Sequence, residues 1–595
     1  MIVTLLYFFF VFLGLGIIIS NIFKVKYRKT TEKIIMSLGI GLGAFPILAC
    51  MFHILHLPIH YFMFLPFIFG NLLWIKEREF KYDWQDFIVF GLFILLLIVL
   101  LKGSFGYEHL ADDDSWGHAL GAKFISIEKT AWVPENFYLH YVDPYPPSYE
   151  ILMAILHQLN NSVSWTLKFF NSLLCGLAIL FFYFFCKVFT NNKMVSLYST
   201  FILFCIPCFM SRFIWAQTLA IVIMIVAFYL LIKIENYKDM IITGVVICGV
   251  FLTQPSTSVV FLIMLGLYYL VNLFYFPKKS FNIFYAIAFG IILSLIFYWL
   301  PMFSIYGVSG TLEGIGLHSN TLTTGDTSYG VKYGLKDFIV APIVSKMDQP
   351  TGLGIFIFFM LVLYLFVILI NRKKLFKMKH LVITLIWFMF TLFGVLGNSL
   401  PIKMFPHRFW VFFAIPVSIL VGEVMFGMGE LLKKNYQKVI IIGIIIIGVL
   451  ITSFIPKYVV QNSVWPAGQQ IQGNEYQGIY YLKTLPPNTK VFNYYFERDL
   501  WVIGVDKLSY EWKSNVIEFR KILINSTTEE LYSFLKENEY EYLFISGMML
   551  RNGAYWYGEN ATINHLNGLL NSVSLNSNMF IKVYESQGSL LYKVI

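Results

Sequence analysis

From residue 1 to about residue 456, long apolar runs alternate with short polar breaks. The runs lie near 1–23, 34–53, 57–74, 86–102, 164–186, 194–211, 213–232, 239–254, 256–275, 281–303, 353–371, 380–398, 405–428 and 438–456. A helix crosses a bilayer with roughly 17–25 apolar residues, so the pattern predicts about fourteen transmembrane helices. Two polar stretches, 103–163 and 304–352, are too long to be simple turns. From residue 457 the pattern changes to short alternating runs. Val491–Tyr495 and Tyr542–Ile545 read as strands, and Phe580–Tyr584 with Leu590–Val594 as a hairpin across Ser586–Ser589. Between them Thr527 and Glu530 have capping-box spacing ahead of Leu531, Phe534 and Leu535. The expected architecture is an α-helical polytopic membrane body, 1–456, followed by a small α/β domain, 457–595. That tail carries no Walker A motif, no GxGxxG and no zinc spacing. No internal repeat is visible, unlike the related halves of many transporters.

Charge sets the orientation. The basic residues cluster in short breaks: Lys24, Lys26, Arg28 and Lys29; Lys76, Arg78 and Lys81; Arg372, Lys373, Lys374, Lys377 and Lys379; Lys433, Lys434 and Lys438. With the N-terminus outside, every cluster falls on the cytoplasmic side, as the positive-inside rule requires. The stretches 103–163 and 304–352 and the tail then share the outer face. The first run has no basic residues before it, which reads as a retained span and not a cleaved signal peptide.

Composition agrees. The 595 residues are 58% hydrophobic and 13% charged, against roughly 25% charged in soluble domains. The net charge of +10 is accounted for by the inner breaks, so no nucleic-acid partner is expected. All six cysteines fall in or beside apolar runs, which argues against a disulfide framework. Cys205 and Cys208 form C-x-x-C around Pro207, read as small residues packing at a helix end.

The chemistry concentrates in the first outer stretch. Asp112, Asp113 and Asp114 stand together just beyond the fourth run. Ionisable residues held next to a bilayer point to function. Three adjacent carboxylates repel, which raises at least one pKa and suits a general base for a hydroxyl. Asp112 and Asp114 also have a D-x-D spacing that can hold a divalent cation, Mg2+ or Mn2+. Read alone, the run equally suits a solvated helix cap. His118 follows Asp114 by one helical turn, and Lys123 follows His118; together they can bind a phosphate or an acceptor hydroxyl. Asp143-Pro144-Tyr145-Pro146-Pro147 closes the stretch with a stiff backbone able to aim Asp143 or Tyr145 back at the aspartates. On the same face, His407 and Arg408 open a later span, and Arg can clamp a phosphate through paired hydrogen bonds. Arg212, Gln217 and Gln254–Thr257 lie at other outer helix ends, where each also suits an interfacial anchor. The stretch 304–352, rich in Gly, Ser and Thr, suits a substrate gate.

Asp113-Asp114-Ser115-Trp116-Gly117-His118, with Tyr145-Pro146-Pro147 leading into the next span, resembles the first outer loop of integral membrane glycosyltransferases of the C-type (GT-C) fold. The resemblance implies an enzyme that moves a sugar from a polyprenyl-phosphate carrier to a hydroxyl on a glycan, lipid or protein. It implies an acidic residue of this loop as catalyst and a basic residue near the lipid phosphate. It places the protein in a prokaryotic plasma membrane, with membrane lipids around it and the active site outside the cytoplasm. Two departures stand out. The acidic loop follows the fourth span, where that family usually has it after the first. The W-W-D signature of oligosaccharyltransferases is absent. Two other functions fit the same layout: a polysaccharide polymerase or ligase using a diphosphate-linked glycan, and a flippase without chemistry.

Overall fold

The computed structural model describes residues 1–74, 80–110, 113–134, 137, 139, 141–315, 332–341, 351–370, 377–399, 406–463, 475–494, 499–547 and 558–595. The chain is a multi-pass membrane protein. Among the described residues, eight helices are long and apolar enough to cross a bilayer: Ile2–Phe23, Thr30–Ile54, Trp84–Gly106, Val163–Phe189, Pro255–Tyr275, Pro277–Gly314, Pro406–Leu431 and Asn435–Asn462. The other expected spans carry shorter apolar helices, including Lys193–Cys205, Ala216–Ile232, Ile355–Ile370 and Lys379–Val395, and Tyr237–Phe251.

Three differences from the apolar pattern have local causes. Tyr61–Trp74 is a 3-10 helix of 14 residues. Its rise of about 2.0 Å per residue stretches it to about 28 Å, near the hydrocarbon thickness of about 30 Å. The expected span 194–211 stops at Cys205, because Pro207 disfavours helical backbone in the residue before it. The expected span 281–303 runs on to Gly314 through a π turn at Leu295–Trp299 and a kink at Gly307, where φ is 68°. The stretch 304–352 therefore opens as helix, not as loop.

Val163–Phe189 and Pro406–Leu431 form the interior of the bundle, with 94% and 89% of their spanning windows buried. Asn435–Asn462 is peripheral, at 17%. The first two helices cross closely at glycine: a Cβ on Gly16 would lie 1.7 Å from the Ser37 carbonyl oxygen, and one on Gly41 1.9 Å from that of Phe12. Small residues allow such approach where no hydrophobic effect drives helices together. The buried ionic groups sit at helix ends. Glu32 accepts from Tyr229 (2.6 Å) and Lys233 (3.2 Å), and Lys187 donates to Asp83 (2.8 Å). All six cysteines are free and buried.

The tail contains a four-stranded sheet in the order β1-β2-β4-β3, with β1 Val491–Asn493, β2 Tyr542–Ser546, β3 Phe580–Ser586 and β4 Ser589–Val594. β1 and β2 are parallel; β2–β4 and β3–β4 are antiparallel. Thr527 and Glu530 form the expected capping box. Phe492, Leu531, Leu543 and Tyr592 belong to a hydrophobic core separate from that of the bundle.

Candidate active site

The site is built on the helix Asp113–Glu128. Asp112 and the side chain of Asp113 lie outside the described residues. Asp114 is half-buried, and its carboxylate accepts a hydrogen bond from the Tyr141 hydroxyl. Burial, then the Asp114 charge, hold the Tyr141 phenol well above its usual range, so it stays a donor. The Tyr141 ring stacks on His118 with centroids 4.1 Å apart at 24° and meets Tyr145 edge-on at 5.6 Å. His118 is anchored from behind, with its Nδ1 2.5 Å from Glu150 Oε1. Both residues are buried. Glu150 belongs to the helix Ser148–His157, which starts where Pro146 and Pro147 end the stiff segment. Burial pushes its carboxyl up against the opposing pull of His118. The chain Glu150–His118–Tyr141–Asp114 thus fixes the start of the Asp-bearing helix.

Arg408 faces this chain from the first turn of Pro406–Leu431. It donates to Ser256 Oγ (2.7 Å) and lies 5.7 Å over the Trp215 ring. Ser256 is held in turn by Gln254 Nε2 (2.6 Å), whose Oε1 accepts from the Thr257 backbone N–H (2.6 Å). Asp114 and Arg408 both act electrostatically on Tyr141 and on Tyr145. A carboxylate and a guanidinium therefore lie near the same two tyrosines. Burial pushes the Tyr145 phenol up as well, while the Gln254 side chain bonds to it. His407 is buried beside Arg408 in the helix.

Two residues expected at this site are directed elsewhere. Lys123 donates to Asn488 Oδ1 of the tail (2.7 Å) and approaches His157 Nε2 (3.2 Å). Burial pulls its pKa down to about 8, and its charged neighbours are Asp506 and Lys507. It ties the loop helix to the tail. Asp143 accepts from Tyr306 (2.6 Å). A further tie holds the tail against this helix, Trp512 Nε1 donating to Glu128 Oε1 (2.8 Å), while Asp506 Oδ1 accepts from the backbone N–H of Val163, at the start of the helix Val163–Phe189 (2.7 Å). Gly504 abuts Trp116 so closely that a Cβ would come within 2.2 Å of its ring.

Glu150, Tyr141 and Trp215 are the residues that motif reading passed over, while Ser256 falls in the Gln254–Thr257 stretch noted at an outer helix end. Glu150 carried a signal, as a lone carboxylate opening the run Ile151–Leu156. Tyr141 and Trp215 carried none, because aromatic residues at membrane surfaces are common. No group of three His, Cys, Asp or Glu side chains suited to a metal occurs among the described residues. Asp112, half of the expected D-x-D pair, lies outside them. No step below is routed through a cation.

No family model matches the chain, and no curated protein does. Solved structures do resemble it in fold. The archaeal oligosaccharyltransferase AglB from Archaeoglobus fulgidus, in complex with an inhibitory peptide and a dolichol-phosphate, shares 12% identity at a TM-score of 0.48; the match covers 86% of this chain and 74% of that one. ArnT from Cupriavidus metallidurans, bound to undecaprenyl phosphate, shares 12% identity at a TM-score of 0.45, covering 85% and 98%. At these scores the likeness decides nothing about chemistry, which rests on the residues of this chain.

Proposed function

We propose that the chain is a glycosyltransferase that moves a sugar from a polyprenyl-phosphate donor to a hydroxyl acceptor on the extracytoplasmic face. The observation that carries the reading is that Arg408 and Asp114 lie near the same two tyrosines, Tyr141 and Tyr145. A fixed cation facing a fixed carboxylate is what direct displacement at a phosphorylated anomeric carbon requires. The Arg408 guanidinium, braced by Ser256 and Trp215, receives the lipid phosphate. Asp114, or its neighbour Asp113, takes the proton from the acceptor hydroxyl. The acceptor oxygen attacks the anomeric carbon, the bond from that carbon to the phosphate oxygen breaks, and the polyprenyl phosphate leaves with both electrons. Attack opposite the leaving group inverts the anomeric centre. Arg408 stabilises the charge that grows on the leaving phosphate, the kind of interaction whose loss costs about 10²–10³ in rate.

The tail, 457–595, serves in this reading as an outer domain that clamps the Asp-bearing helix through Asn488 and Trp512. Purified protein in nanodiscs is given a radiolabelled prenyl-phosphoryl sugar and candidate acceptors. Release of prenyl phosphate coupled to sugar transfer supports the reading. Movement of the intact donor across the bilayer without bond cleavage overturns it in favour of a flippase.

A further inference from the structure

A cavity of about 800 Å3 opens beside Asp143 and Pro144. Its wall includes Asp143, Glu313, Phe137, Tyr306, Pro134 and Gly310. The size falls within the roughly 300–1,000 Å3 of small-molecule sites. Two carboxylates line it, and no Lys or Arg does among its described residues. Asp143 is buried; its Oδ2 accepts from Tyr306 (2.6 Å), and its Oδ1 has no hydrogen-bond partner among the described residues. Glu313 is exposed at the rim, with the Ser309 hydroxyl 3.5 Å away.

Each feature selects a ligand property. Carboxylate oxygens accept from hydroxyl donors, and a buried acceptor left unmatched is costly until a ligand supplies the donor. The Phe137 and Tyr306 rings and Pro134 give apolar faces for the C–H side of a sugar ring. Like charge turns away anions. Burial holds the Asp143 carboxyl above its usual range, although the Tyr306 hydroxyl and the nearby Val133 backbone N–H favour its charge; charged or protonated, the group can still bond a hydroxyl.

We infer that this cavity is a saccharide subsite that takes a sugar without negative charge. The inference rests on the proposed glycosyl transfer for its purpose, but not for its chemistry. The sugar has two sources, the acceptor glycan or the sugar of the donor, and the experiment separates them.

Saturation-transfer NMR on the whole protein in nanodiscs tests it, with N,N′-diacetylchitobiose as probe and a hyaluronan disaccharide as its anionic counterpart. Chitobiose should give signal and the hyaluronan disaccharide at least tenfold less. Gly310→Phe fills the cavity; a Cβ there meets only Tyr306 Cβ, at 3.6 Å. It should abolish the chitobiose signal with the melting temperature unchanged, and Asp143→Asn should weaken it several-fold. Chitobiose signal that survives in both variants, or equal signal from the two disaccharides, overturns the inference. Citronellyl-phosphoryl-glucose then separates the sources: displacement of chitobiose in the parent but not in Arg408→Ala assigns the cavity to the donor's sugar, and simultaneous binding assigns it to the acceptor. Either result supports a saccharide subsite. Failed transfer with intact chitobiose binding would sink the proposed function and leave this subsite standing.

Discussion

His118 and Glu150 meet at 2.5 Å inside the protein, and the other Glu150 oxygen, Oε2, is buried with no partner among the described residues. The pair couples the Asp-bearing helix to the helix that leads back into the membrane. Breaking a buried pair by removing one partner costs about 3–5 kcal/mol. Glu150→Ala and His118→Ala should each lower thermal stability strongly, and the double variant should cost much less than their sum. Additive losses in a double-mutant cycle followed by thermal unfolding would mean that the two side chains are not coupled.

Arg408→Ala should weaken binding of a prenyl-phosphoryl sugar by about 10- to 150-fold, since a charge-assisted contact is worth roughly 1.5–3 kcal/mol. Arg408→Lys should recover only part, because an ammonium cannot reproduce the planar fork. Titration of donor into the purified variants measures this. An affinity within about twofold of the parent would make Arg408 an interfacial anchor.

For the carboxylates, positioned acid–base catalysis contributes about 10²–10⁴-fold. Asp114→Asn or Asp113→Asn should lose at least about a hundredfold in transfer while donor binding persists. Asp112→Asn should lose less, unless Asp112 and Asp114 share a cation. In that case chelator should stop transfer and added Mg2+ or Mn2+ restore it. Near-parental rates in both Asp113→Asn and Asp114→Asn would reduce the run to a helix cap.

Orientation is checked by labelling in intact cells. Single cysteines at Ser309, Gly325 and Asn525 should react with an impermeant thiol reagent, and one at Lys374 should not. The reverse pattern would put Asp114 and Arg408 on the cytoplasmic side.

Lys123 gives a pH signature. Its ammonium loses a proton near pH 8 in the folded chain, where burial disfavours charge, and near 10.5 when unfolded. Between those values the unfolded chain binds more protons, so stability rises with pH across that window; below it both states hold the proton and the penalty is constant. Lys123→Met should flatten the rise. Parallel stability curves for parent and variant between pH 8 and 10 would show that Lys123 is not buried as described.

Local features were legible in the sequence. The strand pattern at Tyr542–Ser546, the Thr527–Glu530 box and the terminal hairpin depend on spacing over a few residues. The aspartate run and Arg408 stood out because charge beside a bilayer is costly. What spacing cannot carry is direction. Lys123 shares a helix with Asp114 yet points to the tail, because Asn488, Asp506 and His157 meet there through tertiary packing. The 3-10 form of Tyr61–Trp74 was hidden for a related reason: its apolar count suits either helix type, and neighbouring helices settle the pitch.

The tail's grip on residues 108–128 also dictates a timetable. Lys483, Asn488 and Trp512 reach back 375, 365 and 384 residues to Glu108, Lys123 and Glu128. A ribosome adds about 5–20 residues per second, so roughly 20–75 s separate the emergence of the helix from that of its clamp. A nascent chain in that interval carries Asp114 with no Gly504 yet to press on Trp116. Damage to the tail removes contacts that reach back to a segment made long before.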